Sequence, residues 1–159
     1  MDLYRFVKTY DRLLIKWMDE YGVLLLRFSL AIVFIWFGAL KWFEGMSEAE
    51  VLVKKAVGFS PILHSQTFFH VLGTWEVIIG ICFLFRSTIR VSIFLMAVQM
   101  GGTFLPLITA TSTCFVKIPF QLTLEGQYIF KNLILIAAAI AIGGSLQKKY
   151  QKQEAGQKA

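Results

Sequence analysis

Charge is scarce in this chain of 159 residues: Asp, Glu, Lys and Arg make up only 16% of it. Soluble domains carry about 25%. Cysteine, histidine and proline are also few, at two, two and three residues. Cys82 and Cys114 form no Cys-x-x-Cys pair and match no zinc spacing, which argues against a thiol–disulfide exchange enzyme. There is no nucleotide-binding fingerprint, no haem motif and no nucleophile with a convincing base. His64 and His70 stand six residues apart and do not stack on a helix; with Glu44, Glu48 or Glu50 they offer only a weak constellation, and no metal is expected.

Hydrophobic residues, by contrast, reach 57%. They gather in blocks long enough to cross a bilayer core of about 30 Å, which takes roughly 20 helical residues. The expected fold class is all-α: a polytopic membrane protein with a four-transmembrane-helix bundle and both termini cytoplasmic. Residues 22–145 form the membrane domain, with spans near 22–43, 68–85, 91–110 and 127–145. The block after residue 21 reads as the first span, not a cleavable signal, because no small-residue cleavage site precedes it. Residues 1–21 alternate bulky apolar groups (Val7, Tyr10, Leu14, Trp17) at three- and four-residue steps with Lys8, Arg12 and Lys16. That pattern fits an amphipathic interfacial helix, and equally a polar cap on the first span. Ser47 and Glu50 fit a capping box opening a short helix over 47–57. Residues 146–159, rich in Lys and Gln, read as a basic disordered tail.

The formal net charge is +6. Its distribution speaks for topology and lipid headgroups and against nucleic acid. The N-terminal segment, the 86–90 turn and the tail carry ten basic residues: Arg5, Lys8, Arg12, Lys16, Arg86, Arg90, Lys148, Lys149, Lys152 and Lys158. The loops 44–67 and 111–126 carry three: Lys54, Lys55 and Lys117. The positive-inside rule then puts those two loops outside.

Arg27, Lys41, Glu76 and Lys131 fall inside spans, with Glu125 at a boundary. Such groups cost about 2.5–3.5 kcal/mol each at mid-bilayer on insertion scales, so they face inward and pair. The alternating helix directions bring Lys41, Glu76, Glu125 and Lys131 to the outer half of the bundle. Gln99, Thr103 and Asn132 extend this set to a candidate polar pocket. Two readings stand: a ligand-binding or proton-relaying pocket that opens outward, and a buried ionic latch that fixes packing. Arg27, Gly38, Gly73, Gly80, Gly102 and Pro106 are assigned to packing, with Arg27 snorkelling to the cytoplasmic headgroups. Most Trp and Tyr residues fit interfacial belts; Trp36 and Trp75 sit deeper and are candidates to line the pocket.

The segments RFSLAIVFIWFGALKWF, WEVIIGICFLF and EGQYIFKNLILIAAA together resemble the DoxX-like superfamily, most closely its YkgB branch, which includes an inner-membrane protein of reactive-chlorine resistance. The resemblance spans about residues 24–144 and rests on Arg27, Gly38, Lys41, Glu76, Gly80, Gly126 and Lys131. It implies a four-helix bundle in a bacterial cytoplasmic membrane and a link to thiosulfate:quinone oxidoreduction, oxidative-stress defence or membrane-protein assembly. Where that branch has Gly-Arg and Lys-Asp opening the fourth helix, this chain has Gly126-Gln127 and Lys131-Asn132.

The expected function is a stress-response or redox-accessory membrane protein, not an enzyme on its own, with an outward polar pocket. One alternative is a quinone-linked oxidoreductase subunit, which makes quinone the one cofactor considered and a redox protein the expected partner. Another is a small-solute exporter acting as a homodimer.

Overall fold

The computed structural model describes residues 3–47, 50 and 65–157. In chain order these form α1 (Leu3–Leu40), α2 (Gln66–Leu84), α3 (Ile89–Phe104), the single turns α4 (Pro106–Thr109) and α5 (Thr111–Cys114), a hairpin of β1 (Phe115–Lys117) and β2 (Gln121–Leu122), and α6 (Leu124–Gln157). Among the described residues, four helical stretches are long and apolar enough to cross a membrane: Val7–Leu40, Gln66–Leu84, Ile89–Thr109 and Leu124–Gln147. The chain is an all-α, four-helix, multi-pass membrane protein with one small antiparallel hairpin.

The four long helices alternate in direction, and α6 packs on both α1 and α3. One end of the bundle carries the N-terminus, the turn after α2 and the C-terminus; it is called the basic end below. The loop end carries the connections after α1 and α3.

The α1–α2 seam dominates the packing. Arg27, Ala31, Phe34, Gly38 and Lys41 repeat at steps of four and three along α1 and are all buried. Phe69, Gly73, Glu76, Gly80 and Phe83 repeat in the same way on α2 and are buried against them. A seam at this spacing keeps one face of each helix turned to the other over about four turns. Small residues let the backbones meet. A Cβ added to Gly38 would stand 2.8 Å from the Gly73 carbonyl oxygen, and one added to Gly80 would stand 2.8 Å from that of Ala31. Below the glycines, Phe34 and Phe83 pack with ring centroids 6.4 Å apart. Met96 and Met100 of α3 and Ala139 and Ile142 of α6 complete the core.

Caps explain where the helices depart from the hydropathy boundaries. Ser65 accepts a hydrogen bond from the Phe68 N–H at 3.2 Å, so α2 starts at Gln66, ahead of its apolar run. Thr123 accepts from Gly126 N–H at 3.1 Å, and α6 starts at Leu124. Pro106 lacks an N–H, so the third span breaks after Phe104 and resumes as α4. The loop read over 111–126 holds α5 and the hairpin, with a cis Ile118–Pro119 bond at its turn.

Two segment assignments are corrected. Residues 3–21 are not a separate surface helix; they continue into the first span as one 38-residue helix. Residues 146–157 are helical, not a disordered tail, because Gln, Lys, Glu and Ala are good helix formers with no proline among them. Of the helix expected over 47–57, only Ser47 and Glu50 are described. The Glu50 carboxylate accepts from Gly45 N–H at 3.0 Å, two residues short of the capping-box partner.

Gly73→Leu should force the seam apart, at about the 1–3 kcal/mol typical of overpacking. The check is thermal unfolding in detergent: a clear fall in Tm for Gly73→Leu, and none for Gly102→Leu, whose Cβ meets nothing within 4 Å.

Candidate functional site

Lys41 follows the last turn of α1, and Glu76 lies mid-helix on α2. The close approach at Gly38 and Gly73 brings them together. Lys41 Nζ donates to Glu76 Oε2 at 2.5 Å and to the Phe37 carbonyl at 3.3 Å. Lys41 is 5% and Glu76 8% exposed, so the pair is desolvated. Gln99 of α3 donates its side-chain amide to the other Glu76 oxygen, Oε1. Thr103, one turn on, donates its hydroxyl to the Gln99 carbonyl at 3.1 Å. Three helices thus meet at one carboxylate whose two oxygens both accept charge-assisted or short bonds. Among the described residues, Gln99 Oε1 is the one buried side-chain oxygen or nitrogen without a hydrogen-bond partner. The cluster therefore holds a fixed ion pair and one open acceptor.

An aromatic layer lies toward the loop end. Trp42 stacks on His70 with centroids 4.9 Å apart and planes 16° from parallel. Gln66 Nε2 lies 3.4 Å from His70 Nε2. Trp75 donates its indole N–H to the Leu95 carbonyl at 3.4 Å, tying α2 to α3. Trp36 points away from the cluster and is 66% exposed. Among the described residues no group of three His, Cys, Asp or Glu is placed to hold a metal; His64 lies outside them.

The remaining candidates divide. Lys131 does not join Lys41 and Glu76: it is exposed, with its ammonium 5.1 Å from the centre of the Tyr128 ring. Helical phase explains this, since Lys131 and the buried Ile129 fall on different faces of α6. Asn132 is half-buried on α6, outside the hydrogen-bonded cluster. Glu125 sits in the first turn of α6, where its charge suits the positive helix end. Gly102 is exposed with open space around it, while Pro106 is buried beneath the loop-end cap.

Arg27 works at the opposite end and does not snorkel. Its Nε donates to the Phe83 carbonyl at 3.2 Å and its Nη2 to that of Leu84 at 2.8 Å. These are last-turn carbonyls of α2, left without partners inside the helix. Thr88 satisfies the Cys82 carbonyl at 2.8 Å, so the end of α2 is closed by side chains from both sides. Sequence reasoning missed this cap, the His70–Trp42 stack and Ser92, which donates to the Ile79 carbonyl at 2.8 Å. Ser92 stands seven residues before Gln99, a spacing that marks one helical face.

Cys114 is fully buried between α5 and the hairpin, with its thiol 3.5 Å from the Pro106 carbonyl. Burial pushes the thiol pKa up, and the nearby charge of Glu125 pushes it further in that direction. Comparison of the chain with protein-family models, with curated proteins and with solved structures finds no match in any of the three.

Removing one partner of the buried pair strands the other. Glu76→Ala should cost about 3–5 kcal/mol, whereas the joint Lys41→Met, Glu76→Leu, Gln99→Leu variant, which leaves no stranded partner, should recover most of that loss, as unfolding of both in bicelles will measure. The Cys114 thiol should stay protonated near pH 8, so a maleimide should label it only after denaturation, scored by mass shift.

Proposed function

We propose that this chain is a bacterial inner-membrane protein of envelope redox or oxidative-stress defence that binds a small polar ligand at the Lys41–Glu76–Gln99 cluster, working as a binding or accessory protein. The observation that carries the reading is the combination of a desolvated ion pair with the buried, unpartnered Oε1 of Gln99. An intramembrane ionisable pair is a functional-site hypothesis in its own right. Here a hydroxyl or N–H of a ligand would complete the one open acceptor and lie beside the Lys41 ammonium. The charge bias puts this end of the bundle outside, which suits a ligand from the envelope. The link to redox defence rests on the DoxX-like pattern, of which Arg27, Gly38, Lys41, Glu76 and Gly80 all lie on the α1–α2 seam.

The space between α3 and α6 favours a second reading, a quinone-linked membrane subunit. An apolar crevice of about 390 Å³ opens there, lined by Met96, Met100, Gly101, Phe104 and Ile136 among others. Its size falls in the range of ligand pockets, and flexible methionines suit a long apolar tail.

Glu76→Gln and Gln99→Met test the first reading by complementation under oxidant challenge, with membrane abundance read by immunoblot. Protection should be lost at unchanged abundance. Full protection from both variants would sink the ligand site, and disappearance of the protein from the membrane would leave the pair a structural latch.

A further inference from the structure

The third span reaches Thr109 and the fourth starts at Leu124. The segment between them folds back onto residues that lie inside both. The Cys114 thiol is 3.5 Å from the Pro106 carbonyl, and the Cys114 carbonyl oxygen fills the place that a Cβ on Gly126 would take. The Thr123 hydroxyl donates to the Thr113 carbonyl at 2.6 Å. The base of the β1–β2 hairpin is therefore fixed at the level where the spans end. Across the ladder Phe115 faces Leu122, and both are half-buried. The rest of the hairpin is apolar and uncovered. Val116, Ile118 and Phe120 are 60%, 68% and 93% exposed, and Phe120 is the most exposed large hydrophobic residue among those described. The same patch continues onto the spans through Ile108 and Leu124, both exposed.

We propose that this hairpin is seated in the lipid headgroup layer of the loop-end leaflet, with Ile118 and Phe120 reaching the acyl boundary. Continuity singles out lipid as the partner. Ile108 and Leu124 belong to helices that cross the bilayer, so the surface they begin already faces lipid. Size agrees. The three residues of β1 rise about 10 Å, close to the roughly 5–8 Å of headgroup region on each side of the hydrocarbon. Charge agrees too. From Ala110 to Leu124 the single charged residue is Lys117, a cation suited to lipid phosphate. Depth follows from the backbone. β1 and β2 pair only with each other, which leaves the outer N–H and C=O groups of each strand without a ladder partner. Hydrocarbon does not tolerate such groups, so the strands stay among headgroups and water while the apolar side chains reach below them. Seated so, the hairpin sets the height of the first turn of α6 in the bilayer.

A fluorophore on Phe120→Cys tests this, in the full chain carrying Cys82→Ala and reconstituted in vesicles of phosphatidylethanolamine and phosphatidylglycerol. Cys114 is fully buried, and the chain without Phe120→Cys serves as the blank. Aqueous iodide should quench the label at least about three-fold less than it quenches the free dye, as expected of a group at the headgroup–acyl boundary. A lipid nitroxide near the top of the acyl chain should quench it more than one near the chain end. With the label moved to Ile118→Cys, adding Phe120→Asp should raise iodide quenching by about two-fold, because a charged tip no longer favours that boundary. A label at 120 that iodide reaches as it reaches free dye would overturn the proposal by putting the hairpin in water. Shielding from iodide and nitroxide alike would overturn it by showing a protein cover, from this chain or a second copy.

Discussion

One carboxylate organises the loop-end half of this bundle. Glu76 takes the Lys41 ammonium on one oxygen and the Gln99 amide on the other, and so ties α1 and α3 to α2 at a single point. An ionised side chain among apolar helices is costly unless paired, so that pairing selects one register of the three helices over its neighbours. The glycines are what make it reachable. With side chains at positions 38 and 73 the backbones would stand further apart, and the Lys41 stem would not close a 2.5 Å contact.

The same helix pair is pinned a second time at the basic end, by a different device. Arg27 gives its guanidinium to main-chain carbonyls, not to a carboxylate. A cation at a helix C-terminus meets both the unsatisfied carbonyls and the negative end of the dipole. The α1–α2 seam is therefore fastened at one end by Arg27 of α1 and at the other by Lys41 just past its last turn, with close-packed small and aromatic residues between. The fourth spanning helix is held differently. Its start is fixed by Thr123, whose hydroxyl donates to the Thr113 carbonyl at 2.6 Å while accepting from Gly126. Lower down, contact with α3 is apolar and leaves the crevice beside Met96 and Met100.

Much of this was legible in the sequence. The interior stripe Arg27–Ala31–Phe34–Gly38–Lys41 follows from helical phase, and Glu76 between Gly73 and Gly80 marks the facing stripe. What phase cannot supply is partnership. Lys131 carries the same charge and lies in the same half of the bundle as Lys41, yet it faces outward over Tyr128. Gly102 resembles Gly73 in sequence terms, yet among the described residues nothing lies within 4 Å of where its Cβ would stand. Arg27 was legible as a packing residue but was expected to snorkel to the headgroups; its acceptors are backbone carbonyls 56 and 57 residues away, which no local pattern encodes.

Hydropathy alone determined the four crossings, because the cost of exposing polar groups to hydrocarbon acts on each segment separately. Tertiary structure decided which of the buried charges meet. That outcome depends on how closely two particular helices approach and on the rotation of each about its own axis, and both are set by the glycines and caps acting together. Lys41, Glu76 and Gln99 form one cluster for that reason, and Lys131 stands outside it.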